Sequence, residues 1–522
     1  MGLWNLNNFG MNPNELADGL RNGSLYKFLN SSFTKKTVSK YLKKENGKTK
    51  IENMVKKFSS DKRGFFERLF RDKETIIPYI IFEHISRLFG VEKEKFAKMI
   101  DNPKIRRTVF NVGETIVKYG VRTPMVFGEP LMIVWNITGR CNLRCKHCYE
   151  DAGVLSKGLP EELTREEKIK VMEEIVKSNI PTFAFAGGEP LMDPAFWELA
   201  EIGKKGGLYM SINTNGTLIT EEVAERLKDI GFAYYGVSLD GSTADVHDNF
   251  RGVKGAFERA LRGIKNLIKV GEADKVCISY TVARENSIIK NEIPKMIKLR
   301  DELGIRKVVL YNYIPCGRGG FENDLTAEER EKLFELFYDD LKDGKETLLS
   351  TAPQFGRYCK QMYELGKGDV TVIGHFSTAN IEKIKNLVEL IGGCGAGRAY
   401  IALQPDGKIT PCVFMPDLVI GNIKKDGEIK IEHLINVWDN SEVINRIRMR
   451  RDYSTNYGCK GKYTSVCGGC AARAYAYYGD VLAPDPGCIL NKEIFQKEKI
   501  KENSLSGQHK EGKAAHIPSS LS

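Results

Sequence analysis

Hydrophobic and polar residues alternate with two different periods between about residues 131 and 312. Short runs rich in β-branched and aromatic residues are separated by longer stretches in which apolar residues recur every three or four positions. In these longer stretches, Thr164 with Glu167, and Thr326 with Glu329, form capping boxes that predict helix starts. Repeated βα units of this kind predict a parallel sheet. We expect strands at 131–136, 182–186, 208–213, 235–239, 276–282 and 307–312.

The regions on either side of these units have a different character. Amphipathic stretches such as 62–70 and 77–89 predict helices before the first strand, and cysteines become frequent after about residue 391. The last thirty or so residues are rich in Lys, Ser and Gly, which predicts disorder. We expect a helical N-terminal region of unassigned role, an α/β unit, a bridging segment, a cysteine-rich domain and a tail, at 1–125, 126–343, 344–390, 391–490 and 491–522.

Composition narrows the class of protein. A chain of 522 residues with 42% hydrophobic content predicts a globular protein of more than one domain. No apolar run approaches the ~20 residues of a membrane span, and the first residues lack the features of a signal peptide. We therefore expect a cytoplasmic protein, in which 12 cysteines point to metal binding rather than disulfides. The net charge of +11 suits an acidic partner, and we expect no nucleic acid.

Three closely spaced cysteines follow the first predicted strand. They are Cys141, Cys145 and Cys148, and Tyr149 comes directly after them. Iron–sulfur clusters are normally held by four thiolates, so a local group of three either recruits a distant fourth or leaves one iron open to a small molecule. Zinc sites favour CxxC pairs and bacterial ferredoxins use CxxCxxCxxxCP, and neither spacing matches. We interpret His147, inside this run, as a loop residue.

Polar and glycine-containing motifs follow the next strands. Gly187-Gly188-Glu189-Pro190 comes after the second strand, Asn213-Thr-Asn215-Gly ends the third, and Ser238-Leu-Asp-Gly ends the fourth. In βα folds the loops at the carboxyl ends of the strands carry the chemistry, and glycines let the backbone approach a ligand closely. Each motif alone is also compatible with simple turn chemistry.

The cysteine run and its aromatic residue resemble the signature of the radical S-adenosylmethionine (SAM) superfamily. The resemblance implies a partial (β/α)6 barrel in which Cys141, Cys145 and Cys148 are catalytic and hold a [4Fe–4S] cluster, with SAM chelating the fourth iron. It also implies that the GGEP motif receives the SAM amino group and that Ser238 and Arg251 contact SAM. The predicted cofactor-binding residues are Tyr149, Gly187, Gly188, Glu189, Pro190, Asn213, Asn215, Ser238, Arg251 and Asn312.

The cysteine-rich region resembles the SPASM extension, which binds auxiliary iron–sulfur clusters. Its cysteines are Cys394, Cys412, Cys459, Cys467, Cys470 and Cys488. Two full clusters need eight thiolates, and Cys459 lacks the CxxC partner of the family pattern because Gly461 or Lys462 stands in that place. One or two auxiliary clusters are therefore expected, with Cys359 as a further candidate ligand. A zinc-ribbon use of the same thiols is the alternative.

The run from Cys467 to Cys488 is similar to the radical SAM enzymes of the alternative haem and haem d1 pathways. The resemblance implies an oxygen-sensitive oxidoreductase that cleaves SAM to a 5′-deoxyadenosyl radical and oxidatively modifies a tetrapyrrole side chain. It also implies a low-potential electron donor, ferredoxin or flavodoxin. Two alternatives stay open: a peptide or protein maturase that forms thioethers, epimers or formylglycine, and a non-catalytic iron–sulfur or zinc protein.

Overall fold

Ten strands form one continuous sheet in the computed structural model, which describes residues 24–42, 44–45, 48–49, 102–153, 161–305, 307–342, 346–368, 392–452 and 457–494. The strands are β1 Met132–Asn136, β2 Thr182–Ala186, β3 Tyr209–Thr214, β4 Tyr234–Ser238, β5 Val276–Val282, β6 Lys307–Asn312, β7 Glu346–Ser350, β8 Tyr400–Leu403, β9 Lys408–Thr410 and β10 Gly421–Asn422. Their order is β10-β9-β8-β1-β2-β3-β4-β5-β6-β7. All pairs from β8 to β7 are parallel, and β9 and β10 add antiparallel strands at one end.

Helices connect most of the parallel strands. They are α1 Ser24–Asn30, α2 Ser32–Leu42, α3 Pro103–Lys118, α4 Arg165–Lys177, α5 Phe196–Lys205, α6 Glu221–Ile230, α7 Ala244–Arg251, α8 Ala256–Lys269, α9 Ile293–Glu302, α10 Ala327–Lys342, α11 Gln354–Glu364, α12 Ile431–Asn440, α13 Glu442–Met449 and α14 Ala471–Tyr478. The capping box of Thr164 and Glu167 starts α4 as predicted. Thr326 and Glu329 exchange the equivalent two hydrogen bonds before α10.

The two faces of the strands carry side chains of different size. Phe183 and Phe185 of β2 are fully buried in the main apolar core, which also contains residues of the surrounding helices. Ala184, between them, is paired in register with Ser211 of β3. A Cβ added at Gly236 of β4 would lie 2.7 Å from Oδ1 of Asn213 and 2.9 Å from Oγ of Ser279, so these small residues share the opposite face. The large residues thus pack against the helices, and the small residues on the opposite face leave space inside the barrel.

The predicted fold class is confirmed, and each of the six predicted strands is present within one residue of its expected bounds. The two outermost strands, β7 and β10, do not pair with each other, so the described sheet is a partial barrel. The sequence did not reveal β7, which lies inside the stretch assigned to a bridging segment, or β8, which extends the sheet from the cysteine-rich region. β7, Glu346–Ser350, contains no aromatic or β-branched apolar residue, and β8 has four residues, fewer than any of the six predicted strands.

The N-terminal helices lie against the outside of the barrel. Arg107 of α3 is buried, and its guanidinium donates to the carbonyls of Val176 and Ser178 at the end of α4 and to Gly206 after α5. One arginine therefore caps two helices of the barrel and holds α3 in place. The helices predicted at 62–70 and 77–89 lie outside the described residues. In the described part of the chain, no helix combines the length and apolar character that crossing a membrane requires.

Candidate functional site

The three clustered cysteines lie in one loop, residues 137–153, that leaves the carboxyl end of β1; we call it the cluster loop. Cys141 and Cys145 are buried and Cys148 is half-buried. Each sulfur accepts a hydrogen bond: Cys141 from the Leu143 amide at 3.4 Å, Cys148 from the Ala152 amide at 3.3 Å, and Cys145 from Nη1 of Arg251 at 3.6 Å. Such donors stabilise sulfur that carries negative charge.

The three thiols are better suited to binding a metal cluster than to standing side by side as free thiolates. Burial raises the pKa of Cys141 to about 12, and the charges of Glu189, Cys145 and Cys148 add to that rise. Three thiolates in this loop would therefore repel each other in a poorly solvated place, and only a cation among them would make them stable together. In the described part of the chain, no three His, Cys, Asp or Glu side chains are arranged for a single metal ion.

The GGEP motif packs directly on the backbone of the cluster loop. The amides of Gly188 and Glu189 donate to the carbonyls of Thr138 and Arg140 at 2.7 and 2.8 Å. A Cβ on Gly188 would lie 2.1 Å from the Arg140 carbonyl oxygen, and one on Gly187, with φ of +122°, would lie 2.5 Å from that of Thr138. The two glycines are thus needed for this close approach to the loop.

Glu189 connects the cluster loop to the end of β3. Its buried carboxylate accepts from the Thr214 hydroxyl at 2.7 Å and from the Asn215 amide at 2.8 Å. Burial raises the pKa of Glu189 to about 7. Asn215 in turn donates to Oδ1 of Asn142 at 2.8 Å and approaches the Cys141 sulfur at 3.9 Å. Predicted cofactor residues therefore also build the support of the cysteines.

A buried ion pair supports the other side of the loop. The carboxylate of Asp240, after β4, lies 2.6 Å from Nε of Arg251 and 3.3 Å from Nε2 of His147. Burial alone would lower the pKa of Arg251, but the charges of Asp240 and Cys145 raise it instead. Burial and the charge of Arg251 hold the pKa of His147 well below its usual range, so its ring, stacked on Phe250 at 4.2 Å, is neutral.

Arg318 clamps the same loop from the end of β6. Its guanidinium donates to the carbonyls of Cys145 at 2.8 Å and Ala152 at 2.6 Å, and pairs with Asp151 at 2.7 Å. Its own amide donates to the Cys148 carbonyl at 2.9 Å. Gly317 permits this contact, because a Cβ there would lie 2.4 Å from the same carbonyl oxygen.

The other predicted cofactor residues lie in the cluster loop or at the carboxyl ends of the strands. The Tyr149 hydroxyl donates to Asn136 at 3.0 Å, Pro190 begins a short 3₁₀ turn, and Asn213 and Ser238 are half-buried on β3 and β4. Asn312, the last residue of β6, is fully buried, and its Oδ1 accepts from Nε of Arg330 on α10 at 3.3 Å.

The cysteines of the C-terminal region separate into two groups. Cys394, Cys412 and Cys470 pack in one apolar cluster that also includes Cys316, and the Tyr400 hydroxyl donates to the Cys412 sulfur. Cys467 and Cys488 form a second group, in which burial and the charge of Cys488 raise the pKa of Cys467. The loop of Cys459 adjoins this second group, since the Gly458 amide donates to Asn491 at 2.9 Å.

Asp485 stands between the two groups. Its fully buried carboxylate accepts from the amides of Cys470 at 2.7 Å and Gly487 at 2.8 Å. Cys359, the further candidate ligand, packs on α11 in the main apolar core. Burial raises the pKa of Cys467 and Cys488, and the positive charge of Arg357, two residues before Cys359, opposes that rise.

Comparison with known proteins agrees with this arrangement. A family model described as the Radical SAM superfamily matches residues 135–299, and the SPASM model, an iron–sulfur cluster-binding domain, matches residues 394–471. An AdoMet-dependent heme synthase of Methanosarcina barkeri is 34% identical over 69% of this chain and 96% of its own length. The chain belongs to the radical SAM superfamily.

Other relatives are named for different activities. A pre-heme d1 synthase of Dinoroseobacter shibae is 27% identical over 69% of this chain and 86% of its own length. The mycofactocin maturase MftC of Mycolicibacterium smegmatis is 28% identical over 73% of this chain and 89% of its own length. Among solved structures, Streptococcus suis SuiB bound to S-adenosylmethionine covers 85% of this chain and 93% of its own at 16% identity, with a TM-score of 0.55. That likeness supports the fold.

As a radical SAM enzyme, the protein uses a [4Fe–4S] cluster with SAM, and its SPASM domain binds auxiliary iron–sulfur clusters.

The sequence alone did not identify three residues that shape this site: Asp240, His147 and Arg318. Asp240 and Arg318 lie in Ser-Leu-Asp-Gly and Cys-Gly-Arg-Gly runs, which are typical of turns. The position of each run at a strand end is the only signal that points to the site.

Proposed function

We propose that this radical SAM enzyme oxidatively modifies a tetrapyrrole side chain in the anaerobic cytoplasm. The observation that carries the proposal is an apolar surface between the cluster loop and the first auxiliary cysteine group. Phe414, Leu418 and Tyr475 are half-buried there against the cluster that holds Cys412 and Cys470. The ring of Phe414 also lies 5.3 Å from that of Tyr149. Aromatic and aliphatic side chains of this kind suit a large flat apolar ligand.

In this proposal the cluster loop would hold a [4Fe–4S] cluster that, together with SAM, would supply one-electron chemistry and a 5′-deoxyadenosyl radical able to abstract hydrogen. The chain's own residues hold and orient the reactants. Cys141, Cys145 and Cys148 hold the cluster, and the GGEP motif receives the amino group of SAM. Arg251 uses Nε for Asp240 and Nη1 for Cys145, and we assign its Nη2 to the SAM carboxylate. We assign Asn213 and Ser238, at the ends of β3 and β4, to hydrogen bonds with the ribose of SAM.

The remaining partners follow from the same proposal. A ferredoxin or flavodoxin supplies the electron for SAM cleavage. Both auxiliary cysteine groups hold iron–sulfur clusters, and the first, with Cys394, Cys412 and Cys470, faces the substrate. The sequence similarity to an AdoMet-dependent heme synthase and a pre-heme d1 synthase supports a tetrapyrrole as substrate.

The test is an anaerobic assay of the reconstituted protein with SAM, dithionite and porphyrins that carry propionate side chains. Mass spectrometry should detect 5′-deoxyadenosine together with a porphyrin of lower mass. The triple variant Cys141→Ala/Cys145→Ala/Cys148→Ala is the control and should produce neither. Formation of 5′-deoxyadenosine with every porphyrin recovered unchanged would contradict the tetrapyrrole proposal. Absence of 5′-deoxyadenosine from the wild type would support a non-catalytic iron–sulfur protein.

A second candidate function, peptide maturation, is favoured by the acidic residues around Glu150 of the cluster loop. Burial raises the pKa of Glu150 to about 8, and the charges of Asp406 and Asp417 contribute. Glu150 is therefore mostly protonated at neutral pH, and the negative charge of Asp406 and Asp417 beside it suits a neutral or cationic substrate better than a carboxylate-rich porphyrin. Mycofactocin maturase is a relative of this kind. Turnover of short peptides in the same assay, with no change in the porphyrins, would select this function.

A further inference from the structure

The two sides of the cluster loop carry different chemistry. Residues 141, 143 and 145 are buried, whereas the residues that alternate with them, at 140, 144 and 146, are exposed. The exposed residues are Arg140, Arg144 and Lys146. The three cationic side chains therefore lie on the solvent side of the cluster loop, whereas Cys141 and Cys145 lie on its buried side.

A fourth cation extends this surface. Gly252 packs on the loop so closely that an added Cβ would lie 2.3 Å from the Arg144 carbonyl oxygen, and Lys254, two residues later, is exposed. We call Arg140, Arg144, Lys146 and Lys254 the outer cationic face.

Most of this positive charge is not neutralised by the protein. Within the described residues, Arg140 and Arg144 form no salt bridge, and Lys146, whose side chain is 45% exposed, pairs with Glu285 at 2.7 Å. The nearby carboxylate of Asp248 is engaged by the backbone amides of Gly255 and Phe257. An exposed surface with a net excess of cations attracts an anionic partner and speeds its association.

We infer that the outer cationic face is the docking site of a small acidic ferredoxin that delivers the electron for SAM cleavage. The inference rests on the proposed function. In the transfer, the ferredoxin cluster loses one electron and the cluster held by Cys141, Cys145 and Cys148 gains it, with no bond made or broken. Weak electron-transfer encounters bury little surface, which matches a patch limited to one loop and the turn beside it. A partner bound to this face contacts the same loop that carries the three thiols.

The test compares two charge reversals with a matched control. Lys254→Glu and Arg144→Glu change the outer cationic face, and Lys205→Glu changes an exposed lysine at the end of α5, near the amino ends of the strands. Binding of an oxidised acidic [4Fe–4S] ferredoxin to the holoenzyme is measured by calorimetry at low and high ionic strength. SAM cleavage is then measured with reduced ferredoxin and, separately, with dithionite.

We expect Lys254→Glu and Arg144→Glu each to weaken ferredoxin binding about tenfold at low ionic strength, and to lessen its salt dependence. Cleavage with ferredoxin should slow relative to dithionite in the same variant, while Lys205→Glu behaves as wild type. Equal effects of all three substitutions, or no effect of the first two, would overturn the docking site. A loss seen with flavodoxin but not with ferredoxin would overturn the choice of partner. Failure of dithionite to support cleavage in the wild type would instead contradict the proposed function.

Discussion

Asp240 holds Arg251 in place: Oδ2 of the carboxylate lies 2.6 Å from Nε of the guanidinium, and both side chains are buried. The other carboxylate oxygen accepts from the Thr281 amide of β5 at 2.6 Å. Arg251 reaches the Cys145 sulfur from this position at 3.6 Å. One ion pair therefore connects two strands of the barrel with the cysteine loop.

Asp240→Asn is expected to leave a buried guanidinium without its counter-charge. Breaking a buried pair in this way costs about 3–5 kcal/mol of folding free energy. We expect a lower unfolding midpoint in urea and incomplete iron incorporation on reconstitution. Asp245→Asn, at the exposed start of α7, is the control and should match wild type in both measurements. Wild-type stability of Asp240→Asn would show that the pair does not support the loop.

Arg318→Gln is expected to release the cluster loop without unfolding the barrel. It removes two charged hydrogen bonds to the carbonyls of Cys145 and Ala152. Because Arg318 is partly exposed, we expect a cost of about 2 kcal/mol, which corresponds to about thirtyfold faster loss of iron to a chelator. Arg284→Gln, which removes an exposed pair with Glu329, is the matched control. Equal rates of iron loss in the two variants would refute this role of Arg318.

Gly188→Ala is expected to displace the GGEP motif from the cluster loop. The new Cβ would meet a backbone oxygen at 2.1 Å, which no side-chain rotation relieves. Overpacking of this kind costs about 1–3 kcal/mol, and we expect weaker SAM binding in equilibrium dialysis as well as a lower melting temperature. Gly153→Ala adds the same methyl group where nothing lies within 4 Å and should be neutral. A neutral Gly188→Ala would mean that the motif tolerates movement.

Local patterns explain what the sequence predicts correctly. The six central strands are short runs rich in β-branched and aromatic residues, separated by helical patterns, and the three cysteines lie within eight residues of one another. The contacts that hold the loop are different in kind. Arg318 and Cys145 are 173 residues apart, and no local pattern records which strand ends meet in space. For the same reason the sequence does not show that Asn312, at the end of β6, accepts from Arg330 of α10.

Asp485→Asn is expected to disturb the auxiliary sites and leave the cluster loop intact. The carboxylate accepts from the amides of Cys470 and Gly487, and a carboxamide would present a donor to one of them. Iron and sulfide are counted in the Cys141→Ala/Cys145→Ala/Cys148→Ala background, where only auxiliary iron remains.

More than four irons per chain in this background would mean two auxiliary clusters, and Asp485→Asn should lower the count. Asp452→Asn, at an exposed position of the same region, should leave it unchanged. An unaltered count in Asp485→Asn would show that the two cysteine groups form independently of this carboxylate.

The strand β8 has a consequence for how the enzyme is built. It belongs to the cysteine-rich region, yet it hydrogen-bonds along β1, with Tyr400 opposite Met132 and Leu403 opposite Trp135. The cluster loop begins directly after β1, and Cys412 follows β9, which pairs with β8. The spacing between the radical centre and the first auxiliary cysteines is therefore fixed by strand pairing rather than by a hinge. A protein shortened before residue 392 would leave β1 as an exposed edge strand, and such edges cause aggregation, so the auxiliary region protects an edge of the partial barrel as well as extending its chemistry.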